Sequence, residues 1–323
     1  MRRLASAAGV LLTLAASCEA QDLRPAPRSI TELKPIMTRH LGATADWVEV
    51  TADAVWVGST GPNAVNRIDP RNNKVIAKIA LPGEPCARLA AGFGSLWIPL
   101  CSASPSLARV SLATNRVQAV YPVGPAAAEG GITTSGDSVW MVTDKSGLLT
   151  RIDPHTGKVR QQVHIPAGSY NPIFYDGNIW VSRAEGTQVT VVNADDGGIL
   201  ATTTTGPGPR FLAAGDGAVW TLNQGDGTLT RLDAHTWAAD RSVELNTPGH
   251  GGDIASDQGL VWTTVSNMPL SVTDAKTGRV LGQWQGPGGD SLGLGHGSIW
   301  LTNYHGGTIS RFDTQTILAS LRQ

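Results

Sequence analysis

Four side chains have the right types for acid–base or metal chemistry, if the fold brings them together: His250, Asp253, Asp290 and His305. A histidine beside carboxylates can act as a general base or ligate a divalent cation. These four are the candidate catalytic residues. Arg88, Glu129, Tyr170, Arg183, Arg210, Asn223, Asn303 and Tyr304 are the candidate binding residues. Their mixture of both charge signs with aromatics suits a polar or zwitterionic ligand: a small molecule, a peptide or a glycan. The remaining described chemistry is bland. His155 and His235 fall in turns, His296 in a hairpin turn and His164 in an outer strand. There is no Cys-x-x-Cys-His or His-Glu-x-x-His motif, no phosphate-cradling glycine loop between strand and helix, and no serine nucleophile elbow. Asn223 to Gly227 lacks the distal Glu of a calcium loop and reads as a β-turn.

A repeat is what would bring such distant loops together. Trp recurs at positions 56, 97, 140, 180, 220, 262 and 300, with spacings of 41, 43, 40, 40, 42 and 38 residues. Each Trp follows a turn and an apolar residue and precedes two or three strand formers, as in Gly217-Ala218-Val219-Trp220-Thr221-Leu222-Asn223. About ten residues on comes a second string, such as Arg67-Ile68-Asp69, Arg151-Ile152-Asp153, Arg231-Leu232-Asp233 or Arg311-Phe312-Asp313. A turn of the type Asp-x-x-Thr-Gly often follows. Four short strands fill each unit, with no room for a helix of ten residues. A four-stranded repeat near 40 residues predicts an all-β chain folded as a seven-bladed β-propeller around a central channel. The repeated Trp is the bulk that fills each seam between blades. Blade-to-blade loops and second-to-third-strand loops share one face of a propeller. The candidate site residues lie in or beside these loops.

Composition agrees with one globular domain. Hydrophobic residues are 41% and charged residues 16%, and 38 Gly and 19 Pro supply turns. A net charge of -1 argues against a non-specific nucleic-acid binder. The N-terminus reads as an export signal over residues 1–20: basic Arg2-Arg3, then an apolar run from Leu4 to Ala16. That run is too short to span a bilayer, and no later stretch is long and apolar enough. Cleavage after Ala20 fits, and so does lipidation of Cys18 at a lipobox-like Ala15-Ala16-Ser17-Cys18. The expected product is periplasmic or extracellular, and monomeric. Pro-rich residues 21–29 read as a flexible leader. The propeller then covers residues 30–323, with residues 30–41 predicted as the outer strand that closes the last blade.

Cys86 and Cys101 predict a disulfide. Both flank a hairpin centred between Phe93 and Gly94, whose opposed positions sum to 187, as 86 and 101 do.

The strings Gly297-Ser298-Ile299-Trp300-Leu301-Thr302-Asn303 and Gly306-Gly307-Thr308-Ile309-Ser310-Arg311-Phe312-Asp313, with Pro/Gly turns, resemble the streptogramin-lyase-like and YncE-like secreted propellers. The resemblance spans about residues 45–323. It implies the propeller fold. For the lyases within that group it also implies a His and Glu site around magnesium, including a Glu-x-His pair. This chain has no Glu-x-His; Pro287-Gly288-Gly289 stands where the pair would be, and Asn303 where an acidic residue would follow the last Trp. The leading expectation is a binding or scaffold module working through its channel-mouth loops. The alternative is a lyase or hydrolase acting on a small cyclic ester or glycan with a His and a divalent cation. The cofactor is otherwise open.

Overall fold

The computed structural model describes residues 24–322; the segment read as an export signal, with Cys18, lies outside the described residues. The described chain is a seven-bladed β-propeller of four-stranded antiparallel blades. Blade 1 runs through strands Thr44–Val50, Val55–Thr60, Ala64–Asp69 and Lys74–Ala80, from the axis outward. The other blades repeat that order. The inner strands of neighbouring blades pack side by side, and Leu292–Gly295 of blade 7 meets Thr44–Val50 of blade 1 to close the ring.

The repeated Trp explains why the blades stack. All seven are at most 1% exposed. In five blades the residue opposite Trp on the third strand is an arginine: Trp56 faces Arg67, Trp97 Arg109, Trp140 Arg151, Trp220 Arg231 and Trp300 Arg311. Four of these guanidinium groups lie over the indole, 4.9–5.4 Å from its centre. Three of these four arginines then reach into the next blade, while Arg109 donates to Ser95 Oγ within its own blade. Arg67 donates to the Leu112 carbonyl and Asn115 Oδ1, Arg151 to the Asp195 carbonyl, and Arg311 to the Pro70 carbonyl and Asn73 Oδ1. One side chain thus covers the indole face and satisfies polar atoms across the seam. In five blades the innermost hairpin turns on an Xaa-Gly pair with both residues at positive φ: Phe93-Gly94, Asp176-Gly177, Asp216-Gly217, Gln258-Gly259 and His296-Gly297. That is the geometry of a two-residue hairpin whose twist matches its strands.

The N-terminal segment joins two blades. Met37–His40 pairs antiparallel with Thr308–Asp313 as the outer strand of blade 7. Ile30–Glu32, read as part of that strand, is instead a 3-10 turn capped by Ser29. Arg28–Ser29, read as leader, adds a parallel fifth strand to blade 6 against Trp284–Gln285. Arg28 lies over the Trp284 ring at 4.8 Å, which anchors this short strand. The C-terminal helix Thr314–Ser320 packs beside it, buried through Ile317.

The disulfide Cys86–Cys101 is formed, with Cα atoms 5.7 Å apart. The two cysteines are diagonal neighbours, not directly opposed. Pairs summing to 187 hold from Ala90 to Gly92, but Glu84 pairs with Cys101 and Pro85 with Leu100. The ladder slips by two residues between the two pieces of inner strand. An even slip keeps each side chain on its own face, so the thiols still meet.

Two outcomes test this architecture. Deleting residues 24–41 should destabilise the domain by several kcal/mol, because it strips the closing strand and bares the edge at Thr308–Asp313; a thermal melt unchanged by the deletion would contradict the closure. The Cys86→Ser/Cys101→Ser double variant should melt lower. The loop-entropy cost of losing a 15-residue closed loop is about 3 kcal/mol, less here because the hairpin restrains the chain already.

Candidate functional site

The predicted loop convergence produces a cavity of about 810 Å³ on one face of the propeller. Six of the candidate residues line it: Glu129, His250, Asp290, Asn303, Tyr304 and His305. Glu84, Asp46 and Trp47 line it as well. The last two come from a bulge in the inner strand of blade 1, between Asp46 and Val48, where Trp47 adopts φ 57°. The bulge sets the Asp46 carboxylate in the wall and the Trp47 ring on the floor. Trp47 packs on Phe211 from across the channel at 6.4 Å. No sequence pattern marks this bulge, although repeat alignment does put Asp46 and Trp47 in the mouth loop that opens their unit; Glu84 is a lining residue that it does not single out.

Other candidates are placed elsewhere. Asp253 lies just beneath the cavity and is 2% exposed; it accepts from Ser291 Oγ at 3.0 Å and from the Ile254 N–H at 2.8 Å. Arg88 turns away from this face. Its Nη1 crosses the channel to the Leu212 carbonyl at 3.2 Å, and it lines a second cavity of about 570 Å³ that opens along the inner strands. Arg210 is held by Glu129 at 2.9 Å and the Tyr170 hydroxyl at 3.0 Å, with its guanidinium over the Tyr170 ring. Arg183 bonds the Ala167 carbonyl and Gln188. Asn223 is fully buried among Thr221, Thr228 and Thr230. The mixed-charge ring expected from the sequence therefore resolves into two parts. The arginines are consumed by structure, and the cavity is left with acids, histidines and aromatics.

Its electrostatics follow from that sorting. Burial pushes the Asp46 carboxyl well above its usual range, and Asp290 pushes it further. Burial raises Asp290 to about 6; the Gly252 N–H opposes this, Glu129 and Asp253 add to it, and His305 opposes it. Asp253 is raised by burial against the pull of Arg88. In the lower cavity burial lifts Glu49 to about 7, again against Arg88. The Tyr304 hydroxyl is pushed up by burial and then by Glu84, Asp46, Asp290 and Glu129.

The magnesium that the lyase resemblance implies does not fit these residues. Among the described residues no group of three or more His, Cys, Asp or Glu is arranged to hold a metal ion. Nor is a Glu-x-His pair present. His305 acts electrostatically on Asp290, and His250 shares their cavity.

The chain superposes on streptogramin B lyase with a TM-score of 0.71 at 14% identity, over 85% of this chain and 96% of that one. It superposes on BamB from Moraxella catarrhalis with a TM-score of 0.61 at 12% identity, over 88% of this chain and 98% of that one. The fold is a streptogramin-lyase-like propeller. At these identities the likeness is one of architecture. No protein-family model matches the chain, and no curated protein matches it either.

The raised carboxyls carry a sign that can be checked. A carboxyl whose pKa rises on folding stabilises the fold only while protonated. Its contribution is complete below about pH 4 and is lost as pH rises towards 6 for Asp290. Asp290→Asn removes that penalty. Its melting temperature should exceed wild type by a few degrees at pH 7.5 and match it at pH 4.5. A variant less stable than wild type at pH 7.5 would contradict the electrostatic picture.

Proposed function

We propose that the protein is an exported ligand-binding module whose binding site is the cavity at the channel mouth. The observation that carries this is a walled cavity of about 810 Å³, the size of a small-molecule site, on the face where the blade loops meet. Its floor is closed by Trp47 packed on Phe211, so a ligand would rest on a fixed surface, not pass through. Polar groups from four separate blades converge there: Asp46, Asp290, Asn303 and Tyr304 with His250 and Glu129. Asp46 and Tyr304 belong to blades that meet only at ring closure, so the site needs the whole domain.

Export is supported by the basic and apolar residues at the start of the chain and by the Cys86–Cys101 disulfide, which persists in oxidising compartments. Lipidation at Cys18 would tether the propeller to a membrane surface. No helix among the described residues is long and apolar enough to cross a membrane.

A thermal-shift screen of amines, sugars, short peptides and lactones tests the assignment. At least one class should raise the melting temperature of wild type. The same ligand should have no effect on Ser266→Trp, which places an indole in the cavity wall. Ligands that stabilise both proteins equally would remove the cavity from consideration.

A further inference from the structure

The charge balance of the cavity names a ligand class. Four carboxylates line it, Asp46, Glu84, Glu129 and Asp290, together with two histidines and no lysine or arginine. Among the described residues only Glu129 of these four has an ion-pair partner, Arg210 at 2.9 Å. Asp46 accepts the Trp47 N–H through Oδ1, and Asp290 accepts the Gly252 N–H through Oδ1. Among the described residues no hydrogen bond engages the second oxygen of either. Behind the lining Asp253, 2% exposed, adds a further buried carboxyl that acts on Asp46 and Asp290.

Aromatic faces stand beside these acids. Trp47 forms the floor, and Tyr304 stands in the wall edge-on to His305 at 5.2 Å. Asp46, Glu84, Glu129 and Asp290 all act electrostatically on the Tyr304 hydroxyl, so the acids and this ring share one small space. An alkylammonium group satisfies both features at once. It gains from the face of an electron-rich ring and from charge-assisted hydrogen bonds to carboxylate oxygens. A bare metal ion uses neither the rings nor most of the volume, and the donors do not form a cage for one.

We infer that the cavity takes a small organic cation, an amine or quaternary ammonium compound, held by Asp46 and Asp290 with Trp47 and Tyr304 as its aromatic walls. This rests on the reading of the channel mouth as the binding site and adds the chemistry of what binds there.

Calorimetric titration of the wild-type protein with cadaverine and choline tests it, with succinate and glucose as controls of opposite and no charge. At least one of the cations should bind and neither control should. Asp290→Asn should weaken the binding about tenfold, and Tyr304→Leu severalfold. Melting curves verify that each variant is folded, and Tyr304→Leu serves alone should Asp290→Asn fail. Succinate or glucose binding in place of the cations, with sensitivity to Ser266→Trp, would overturn the ligand class while leaving the binding site standing. Cation binding that ignores Asp290→Asn, Tyr304→Leu and Ser266→Trp alike would overturn both. Magnesium binding stoichiometrically and excluding cadaverine, or no heat from either cation at millimolar concentration, would overturn the organic cation.

Discussion

The cross-strand pair of tryptophan and arginine is the contact on which the rest of the molecule depends. A four-stranded blade has two faces and cannot bury both alone. The indole supplies the apolar bulk on one side. The guanidinium covers the ring and spends its remaining N–H groups on carbonyls of the neighbouring blade, as Arg67 does at Leu112 and Arg311 at Pro70. A lysine could supply the charge but not the planar stacking with several directed donors. The two blades without this pair use a valine opposite Trp, Val191 at Trp180 and Val272 at Trp262. There the indole packs on valine, and other groups bond across the seam, as Gly217 N–H does to the Tyr175 hydroxyl and Ser291 Oγ to Asp253.

The ring so formed sets the electrostatics of its axis. Seven inner strands crowd their side chains into a narrow channel, and what survives there must be packed or paired. Trp47 and Phe211 pack on one another across it, between the upper and lower cavities. Arg88 spans the gap to Leu212 and draws on both Asp253 above and Glu49 below. One cation thus moderates two buried carboxyls on opposite sides of that contact. The upper cavity keeps the acids that Arg88 does not reach.

Much of this was legible in the chain, because a repeat writes its packing residue at a fixed period. The Trp spacing gave the number of blades, and repeat alignment placed His250, Asp290, Tyr304 and His305 in loops of one face. What alignment lacks is the direction of a side chain. Arg88, Arg183 and Arg210 have the expected chemistry, yet each bonds to a partner fixed by three-dimensional packing. Asp46 reaches the cavity only through a bulge at Trp47, a local departure from pleating with no residue signature of its own. The cysteine pair shows the same boundary: alternation predicted the shared face, while the two-residue slip that makes the pair diagonal came from the ladder around Pro85.

The closing strand has a consequence in time. Met37 pairs with Arg311, so a strand made near the start of the propeller must wait for nearly the last. Synthesis proceeds at about 5–20 residues per second, which leaves Met37–His40 without its partner for roughly 15–50 s. Through that interval the early blades can stack on one another, but the ring stays open and the wall of the cavity shared by Asp46 and Tyr304 does not exist. A chain interrupted before its final 15 or so residues would carry all seven Trp strings but lack Arg311-Phe312-Asp313, the partner of the closing strand. It would still have neither a closed ring nor a complete mouth.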